Sequence, residues 1–553
     1  MAMSAQTGAS RTWTVSRRYL NLPVENGAPK RLLRLLRLGD AGDAGDGPRL
    51  RREFAIELAR GTPVFWVVTD VAAFAGQRLR LEVADGAGPA PGLDLVTEDD
   101  AIAGGGDLYH ERYRPQLHFS SRRGWINDPN GLLHFDGTYH LFYQHNPYGW
   151  GWDNMHWGHA VSPDLLHWEE REAALYPDAT GTMFSGCGVV DAANTSGLQA
   201  GAAPPLVLLY TAAGGKSAQS RGRPFTQCLA YSTDGGTRWE KDAGNPVLGH
   251  VVHENRDPKV IWHPPSRRWV MALYLDGFEF GLYASPDLRA WTPLHTVTIP
   301  DCRECPDFFP LAVDGDPRDS RWVLGGANGR YLVGSFDGRR FVPEGEARPS
   351  YTGSSYAAQT WSDLPEADGR RIQTAFMRCP LPGMPFNQFL SFPVELTLRR
   401  AAGGAVRLHA LPIRELDRLH RRAHRWSDLT VAPGDTPLTG IGGDLFRIRA
   451  EIDPGAATET GLTVRGVPVV YSAATRRLSC REFAVSLDPG DTPLRLELIV
   501  DRASIEVFAQ DGRYALPVGV IPEDGDRSLA VFARGGAARL PSLDVLELDG
   551  IWA

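Results

Sequence analysis

Three acidic residues stand in three separate short motifs that could act together on a sugar. Asp128 lies in the segment WINDPNG at 125–131, Asp257 in RDPK at 256–259, and Glu304 in RECPD at 303–307. Cleavage of a glycosidic bond with retention needs one carboxylate that attacks and one carboxylic acid that protonates the leaving oxygen. A further anion beside the ring would stabilise an oxocarbenium-like sugar. Because the motifs are far apart in sequence, only a fold that gathers distant strand ends can use them jointly.

The neighbours of two of these residues predict different protonation states. Arg256 is a cation next to Asp257 and should keep this carboxylate ionised, which suits an electrostatic or hydroxyl-binding role. Glu304 precedes Cys305 and two phenylalanines, and an apolar setting would raise its pKa and keep it protonated as an acid. Each motif taken alone also fits a purely structural role, such as a surface ion pair at 256–257 or a tight turn at Asp128.

Aromatic and amide side chains are concentrated around the first motif. Clustered rings can pack a core, but the apolar face of a sugar also stacks on them while its hydroxyls bind amides and carboxylates. Asn127, Gln144 and Asn154 are suitable polar partners. The nearby aromatic residues are Trp125, Tyr139, Phe142, Tyr143, Trp150, Trp152 and Trp157.

The histidines and cysteines do not favour a metal centre. His156 and His159 have metal-like spacing, but in an aromatic β segment core or hydrogen-bonding histidines are commoner than ligands. Cys302 and Cys305 form a C-x-x-C pair with no second pair nearby and no βαβ pattern around it. We therefore favour incidental cysteines beside a carboxylate over zinc or redox chemistry.

The composition limits which fold classes and which kinds of binding partner are plausible. A chain of 553 residues exceeds one ordinary core and predicts two to four domains. Its 60 Gly and 41 Pro, with 15 Trp and 22 Phe, favour short strands and turns over helical bundles. The formal charge of −8 disfavours a nucleic-acid partner, so a neutral ligand fits better. No segment has the apolar length of a membrane span or of a secretory leader, which predicts a cytoplasmic protein, or a secreted one if a leader was removed.

A weak repeat predicts a propeller for the middle of the chain. Segments of the form Ser-x-Asp followed by an aromatic residue begin at Ser162, Ser232, Ser285 and Ser335. Each follows an apolar strand, and its Asp or Gly suits a turn from which the aromatic residue starts the returning strand. Units of several strands that recur at roughly 50 residues favour a propeller over a solenoid.

Alternating strands on both sides predict two further β domains. Residues 1–108 read as a small sandwich-like module, residues 109–402 as the propeller, and residues 403–553 as a C-terminal β-sandwich. RLLRLLRL at 31–38 could instead be a basic amphipathic helix for a membrane surface, but a buried strand or short helix is favoured. The prediction is an all-β protein.

Four motifs together resemble glycoside hydrolase family 32, the β-fructofuranosidases. WINDPNG, FSG at 184–186, RDP at 256–258 and ECPD at 304–307 occur in the order and rough spacing of that family. The resemblance covers roughly residue 112 to the C-terminus and implies a five-bladed β-propeller followed by a β-sandwich. Segments 18–24 and 384–388 are similar to a bacterial subgroup of fructan hydrolases with an extra N-terminal domain.

The resemblance also implies roles for individual residues. Asp128 would be the nucleophile at the anomeric carbon of a fructosyl unit, Glu304 the general acid and then base, and Asp257 the hydroxyl-binding stabiliser of the transition state. No metal or organic cofactor is implied. The positions that match the first sugar subsite are Asn127, Gln144, Trp152, Phe184, Ser185 and Arg256.

The sequence departs from the family at two places. Ser354 and Ser355 precede the YAAQ segment, where an Asp is frequent, and Cys187 follows FSG, where Ser is common. Both changes could alter the region beyond the first subsite, so linkage preference is left open. We predict a retaining exo-acting fructan hydrolase for levan or inulin, with sucrose as a further candidate substrate. The alternatives are an invertase, a fructosyltransferase, or a non-catalytic carbohydrate-binding propeller.

Overall fold

The computed structural model describes residues 9–39, 47–86, 88–401 and 403–552. Within these ranges nearly all regular structure is β, which confirms the predicted all-β class. The helices are α1 (Gly92–Leu95) and 3-10 turns at Ala72–Phe74, Pro264–Ser266 and Arg414–Leu419. The first eight residues, on which the leader expectation partly rests, lie outside the described ranges. None of the helices in those ranges has the length and apolarity to cross a bilayer.

Two antiparallel sheets form the N-terminal domain. One has the order β1-β6-β3-β4 and the other β5-β2-β7, and both face a core that includes Leu22, Leu33 and Phe54. The RLLRLLR segment is strand β3, so the buried-strand alternative is confirmed. The strands are β1 (Ser10–Thr14), β2 (Tyr19–Val24), β3 (Arg31–Arg37), β4 (Arg49–Ile56), β5 (Phe65–Asp70), β6 (Arg78–Val83) and β7 (Thr97–Asp99).

The middle of the chain forms successive sheets in which most neighbouring strands are antiparallel. The first three have the orders β11-β10-β9-β8-β27, β12-β13-β14-β15 and β16-β17-β18-β19, where β27 is Phe386–Asn387. Their strands are β8 (Gly124–Phe135), β9 (Thr138–Asn146), β10 (His156–Ser162), β11 (Glu169–Glu170), β12 (Thr182–Val190), β13 (Leu206–Ala213), β14 (Phe225–Ser232), β15 (Glu240–Lys241), β16 (Arg256–His263), β17 (Arg268–Asp276), β18 (Glu279–Ser285) and β19 (Thr292–Thr298).

A ten-stranded sheet completes the propeller. Its main path is β23-β22-β21-β20-β29-β26-β25, with β24, β28 and β30 paired beside it. Its strands are β20 (Asp307–Val313), β21 (Asp316–Gly325), β22 (Arg330–Phe336), β23 (Phe341–Pro343), β24 (Arg348–Pro349), β25 (Ser355–Thr360), β26 (Arg371–Met377), β28 (Phe389–Leu390), β29 (Val394–Arg400) and β30 (Val406–Pro412), and β27 (Phe386–Asn387) joins the first sheet.

The inner strands of these sheets close a ring. β8 contacts β12, β12 contacts β16, β16 contacts β20, β20 contacts β25, and β25 returns to β8. Parallel pairing of β27 with β8 ties the end of the propeller to its beginning. Because one continuous sheet covers the last part, strand pairing does not divide it into separate blades, and the count of five stays a prediction.

The sequence repeat marks the same turn in successive sheets. Ser162 donates its hydroxyl to Asp164, whose carboxylate accepts the backbone N–H of Leu166, and the Trp168 indole donates back to the Leu165 carbonyl. The copies starting at Ser232 and Ser285 make the same contacts. In the three copies that contain Trp, the Trp stands directly before the returning strand, and in the copy starting at Ser335 the aromatic Phe341 begins that strand, as predicted.

The C-terminal domain is a two-sheet sandwich, as predicted. Its sheets have the orders β31-β41-β32-β37-β38-β39 and β36-β35-β34-β33-β40 around one apolar core. The strands are β31 (His420–Val431), β32 (Phe446–Asp453), β33 (Glu459–Val464), β34 (Val467–Ser472), β35 (Arg477–Cys480), β36 (Phe483–Ser486), β37 (Leu494–Asp501), β38 (Ser504–Ala509), β39 (Tyr514–Gly519), β40 (Leu529–Arg534) and β41 (Ala538–Leu548). The predicted limit at residue 402 lies outside the described ranges, and strands β29 and β30, before and after it, pair with each other, so the change of sheets comes after Pro412.

A buried histidine links propeller and sandwich. His118 lies fully buried, with Nδ1 2.7 Å from Asp501 Oδ2 and Nε2 2.6 Å from Glu506 Oε1. Burial alone would lower the pKa of this imidazole, but the two carboxylates outweigh burial and raise the pKa to about 9. His118 is therefore an imidazolium that donates from both ring nitrogens across the domain interface.

This pair of bonds predicts a loss of stability in alkali. A histidine whose pKa is higher in the folded state contributes fully below its unfolded pKa of 6.5 and loses that contribution as pH rises through about 9. The shift corresponds to on the order of 3 kcal/mol. We expect the thermal unfolding midpoint to fall between pH 6.5 and 9, and this fall to be smaller in His118→Gln, measured by calorimetry. Equal pH slopes in the two proteins would contradict the assignment.

Candidate active site

The inner strands lose regular pairing where the three acidic motifs meet. Register shifts of this kind re-aim side chains and are frequent beside active sites. The shifts fall between Ile126 and Pro129 in β8, Phe184 and Gly186 in β12, Arg256 and Lys259 in β16, and Tyr356 and Gln359 in β25. Asp257, Glu304 and Cys305 also have left-handed φ values of 63°, 57° and 42°. Such backbone is held only where the surrounding fold fixes it.

Asp128 lies on the bulge of β8 and points toward β12. Its Oδ2 accepts a 2.8 Å hydrogen bond from the Ser185 hydroxyl. Gly186 is required next to Ser185, because a Cβ there would lie 1.9 Å from the Leu209 carbonyl oxygen. Burial raises the pKa of Asp128, and the hydrogen bonds from Ser185 and Asn127 partly oppose that rise.

Asp257 is the most enclosed of the three carboxylates, at 5% exposure. Its backbone N–H donates to Thr211 Oγ1 at 2.9 Å, and its Oδ2 accepts from the Cys305 N–H at 3.0 Å. The Arg256 Nε is 3.8 Å away. Burial raises the pKa of Asp257 to about 7 despite this guanidinium. The prediction that Arg256 keeps Asp257 ionised is therefore wrong, because desolvation raises the pKa of Asp257 more than the guanidinium, which points elsewhere, lowers it.

Arg256 points to Glu304 instead. Its Nη2 lies 2.6 Å from Glu304 Oε1, while Tyr356 donates its hydroxyl to Glu304 Oε2 at 2.5 Å. Burial raises the pKa of Glu304, but the Tyr356 hydrogen bond and the Arg256 charge outweigh it and leave the pKa below its ordinary value. The prediction that an apolar setting keeps Glu304 protonated is thus wrong, since its surroundings are polar and cationic.

Cys305 connects two of the carboxylates. Its Sγ is 3.5 Å from Asp128 Oδ2 and 3.4 Å from Asp257 Oδ2. Glu304 is the preceding residue and acts electrostatically on both aspartates. The structure therefore gathers the three acidic residues of the sequence motifs into one cluster of carboxylates around a thiol.

A buried lysine next to the cluster binds groups on neighbouring inner strands. Lys259 Nζ lies 3.1 Å from Asp307 Oδ1 and 2.7 Å from the Thr360 carbonyl oxygen. Thr360 Oγ1 also donates to Asp307 at 3.1 Å. These contacts join strands β16, β20 and β25, so they hold the ends from which Asp257 and Glu304 project.

Most of the predicted subsite residues lie around this cluster. Trp152 is half exposed and meets the edge of Phe184 at 6.0 Å between ring centroids. Asn127 accepts a hydrogen bond from the Trp125 indole and donates to Asp128. Gln144 is buried with its amide nitrogen 3.0 Å from the Asn130 side-chain oxygen, in the orientation that satisfies both amides.

Two residues at the cluster were not predicted to belong to the site. Cys305 was treated as incidental, although it stands inside the ECPD motif. Tyr356 was noted only as part of the YAAQ segment, and its contact with Glu304 spans 52 residues. Both residues stand in motifs that can be found in the sequence. Their contacts with the carboxylates, however, depend on how distant parts of the chain come together in the fold.

The other cysteines and the histidines lie away from the carboxylates. Cys302 packs in the core with Phe280 and Phe308, so it does not share a site with Cys305. His156 and His159 are buried, and burial lowers the pKa of each. In the described part of the chain, no group of three or more His, Cys, Asp or Glu side chains could hold a metal ion.

The two departures from the family pattern also lie in packed regions. Cys187 is fully buried, and its sulfur accepts the Val260 N–H at 3.1 Å. Ser354 accepts the N–H of Gly519 from the sandwich at 3.0 Å. Both side chains are used in packing between elements, so the expectation that they alter outer subsites gains no support from their contacts.

Comparison with known families identifies the chain. The sequence model of the glycosyl hydrolases family 32 N-terminal domain matches residues 118–409, and that of the family 32 C-terminal domain matches residues 415–547. The chain belongs to glycosyl hydrolase family 32. It is a glycoside hydrolase, and its N-terminal domain precedes the part that the family models cover.

Individual relatives agree with this family. A levanase of Bacillus subtilis (strain 168) is 36% identical over 83% of this chain and 74% of its own length. An extracellular exo-inulinase of Aspergillus niger is 30% identical over 80% of this chain and 96% of its own. Among solved structures, exo-inulinase from Aspergillus awamori has a TM-score of 0.72 and 27% identity, over 80% of this chain and all of that one.

The buried thiols predict slow chemical modification. Burial raises the pKa of Cys187, Cys302, Cys379 and Cys480 to about 12, and that of Cys305 well above its usual value. Because the thiolate is the reactive form, few thiols should react with Ellman's reagent at pH 8 in the folded protein. All six should react after unfolding in guanidinium. Rapid reaction of several thiols in the folded protein would contradict the prediction.

Proposed function

We propose that the protein is an exo-acting fructan β-fructosidase that releases terminal β-D-fructofuranosyl units with retention of configuration. The observation that carries this proposal is the cluster itself. Asp128 lies on the inner strand β8 and Glu304 in the loop that leads into β20, and the Cys305 sulfur next to Glu304 is 3.5 Å from Asp128 Oδ2. Trp152 contacts Phe184, the residue before the Ser185 that binds Asp128. Double displacement requires two carboxyl groups near each other beside the sugar.

Asp128 is the nucleophile in this proposal. Ser185 and Asn127 orient its carboxylate, so that the free oxygen can attack the anomeric carbon of a fructosyl unit. Glu304 gives a proton to the leaving oxygen as the glycosidic bond breaks. In the second half, Glu304 removes a proton from water, and the water oxygen displaces Asp128 from the fructosyl carbon.

Asp257 and Arg256 support the reacting sugar without forming a bond to it. The Asp257 N–H donates to Thr211 and the Asp257 carboxylate accepts from the Cys305 N–H, so the carboxylate is fixed in place to accept hydrogen bonds from hydroxyls of the ring. Its charge would stabilise the oxocarbenium-like transition state. Arg256 binds Oε1 of Glu304, so the Glu304 carboxyl group stays in place when it gains or loses its proton.

Substrate binding itself brings the proton to Glu304. Burial raises the pKa of Asp257 to about 7, whereas the pKa of Glu304 is below its usual value, so before a sugar binds Asp257 takes up a proton more readily than Glu304. Sugar hydroxyls that donate to Asp257 would lower its pKa, and displacement of water from Glu304 would raise that of Glu304. Both changes move the proton toward the group that needs it, as expected of strongly coupled carboxylates.

The substrate class comes from the relatives. Relatives that match 80% or more of this chain are named levanase, exo-inulinase and fructan beta-fructosidase, which favours levan or inulin over sucrose as the preferred substrate. An invertase or a fructosyltransferase would use the same chemistry, since acceptor choice depends on loops at the outer subsites. Initial rates on levan, inulin and sucrose test the proposal. Faster turnover of sucrose, or accumulation of kestose-type products, would favour these alternatives.

Neutralising either reacting carboxylate should abolish turnover. Asp128→Asn and Glu304→Gln should each lower kcat on fructan by about 100-fold to 10,000-fold while the thermal unfolding midpoint stays near that of the unmodified protein. Asp276→Asn, a change to an exposed carboxylate outside the cluster, is the matched control and should keep its rate. Near-normal turnover in Asp128→Asn would remove this mechanism.

Loss of the Tyr356 hydroxyl should shift the pH profile. The hydroxyl lowers the pKa of Glu304, so Tyr356→Phe should raise it. Because Glu304 acts in its protonated form, the alkaline limb of kcat/KM should move to higher pH in this variant. A limb that stays in place while the rate falls uniformly would show that Tyr356 does not tune the acid.

A further inference from the structure

Trp152 lies on a loop, and its half-exposed side chain is not buried enough to fix the position of that loop. Residues 147–155 connect β9 to β10, and the Trp152 ring is 50% exposed, touching the edge of Phe184. We infer that the N-terminal domain is a positioning part of the fructosyl site, because it fixes this loop and thereby the wall that Trp152 provides. The inference rests on the proposed function for the role of Trp152, but the anchoring can be measured separately.

The first anchor is an amide that completes the edge of a sheet. β4 is an edge strand of the N-terminal domain, so it has unpaired backbone groups on one side. Asn154 accepts the Ala55 N–H at 2.8 Å and donates Nδ2 to the Ala55 carbonyl oxygen at 2.8 Å. The side-chain amide thus binds β4 as a neighbouring strand would. Asn154 has φ 43°, a left-handed conformation that asparagine tolerates better than most residues.

The second anchor is a ring from the loop inside the core of the other domain. Tyr148 is 1% exposed and belongs to the apolar cluster of the N-terminal domain, not to that of the propeller. It stacks on Phe54 at 3.8 Å between centroids, and its hydroxyl is 3.2 Å from Thr69 Oγ1. Trp150 packs against the same cluster. The loop therefore has apolar contacts that exist only when the N-terminal domain is in place.

The propeller holds the opposite side of the same loop. Asn146 Nδ2 donates to the Gly151 carbonyl oxygen at 2.8 Å, and Asn387 Nδ2 donates to the Trp150 carbonyl oxygen at 3.0 Å. Lys30 and Asp153 form a further ion pair between the domains at 2.6 Å, but it is exposed and contributes little. Trp152 thus lies at the tip of a segment clamped between two domains, within contact distance of the strand that carries Ser185.

Two variants test this role from the two sides of the interface. Asn154→Asp keeps size and backbone preference but loses both Nδ2 donations, and it places a carboxylate oxygen against the Ala55 carbonyl. Phe54→Leu, a change within the N-terminal domain, removes the aromatic ring that stacks on Tyr148. The matched control is Tyr176→Phe, which removes a different hydrogen bond between the domains, from Arg52 at 3.2 Å, without touching the loop.

The first readout is amide hydrogen exchange of residues 147–155 in the full chain. We expect faster exchange in Asn154→Asp and Phe54→Leu and no change in Tyr176→Phe. This result does not depend on the substrate, so it holds even if the proposed function fails. Unchanged exchange in both loop variants would overturn the anchoring.

The second readout is kcat/KM on fructan, measured for Asn154→Asp with Trp152 present and with Trp152 replaced by Ala. A misplaced subsite wall can cost about 10-fold or more, and we expect the loss in Asn154→Asp mainly as a raised KM. In a Trp152→Ala background the same change should have little further effect, because the wall is already absent. An equal loss in both backgrounds would show a general structural effect and overturn the positioning role. Failure of the proposed function would appear differently, as full turnover in Asp128→Asn.

Discussion

The structure depends on holding three carboxylates within reach of one another in a site that burial makes unfavourable for charge. Asp128, Asp257 and Glu304 repel one another, and each loses solvation. The fold meets this cost with a guanidinium and several hydrogen bonds. The inner strands break their pairing at Asp128 and Asp257, and the backbone is left-handed at Asp257 and Glu304. The strained backbone at these carboxylates is kept in place by the rigid packing of the surrounding fold.

The rigid part is distributed over all three domains. The Lys259 network ties the inner strands of the propeller together below the cluster. The His118 bonds attach the propeller to the sandwich. The Asn154 and Tyr148 contacts attach the N-terminal domain to the loop that carries Trp152. The two outer domains are therefore connected to the elements that position the site and do not only flank it.

Sequence predicted the elements and the membership of the cluster better than its electrostatics. The all-β class, the sandwich and strand β3 follow from alternation and turn residues, and Asp128, Asp257 and Glu304 stand in short motifs. The protonation states were predicted from chain neighbours, and this failed because Arg256 turns toward Glu304, at 2.6 Å, and not toward the adjacent Asp257, at 3.8 Å. Tyr356 and Ala55 reach the site region from positions 52 and 99 residues away from their partners, so no local pattern could show their contacts.

The most direct test of the account is to trap the intermediate that it requires. After rapid acid quench of the unmodified enzyme during turnover of excess fructan, mass spectrometry of the peptide that contains Asp128 should show one added fructosyl unit. The same preparation carrying Asp128→Asn should show none. Absence of any adduct, together with first release of the α anomer of fructose by the unmodified enzyme in NMR, would mean direct displacement by water and would contradict the central claim.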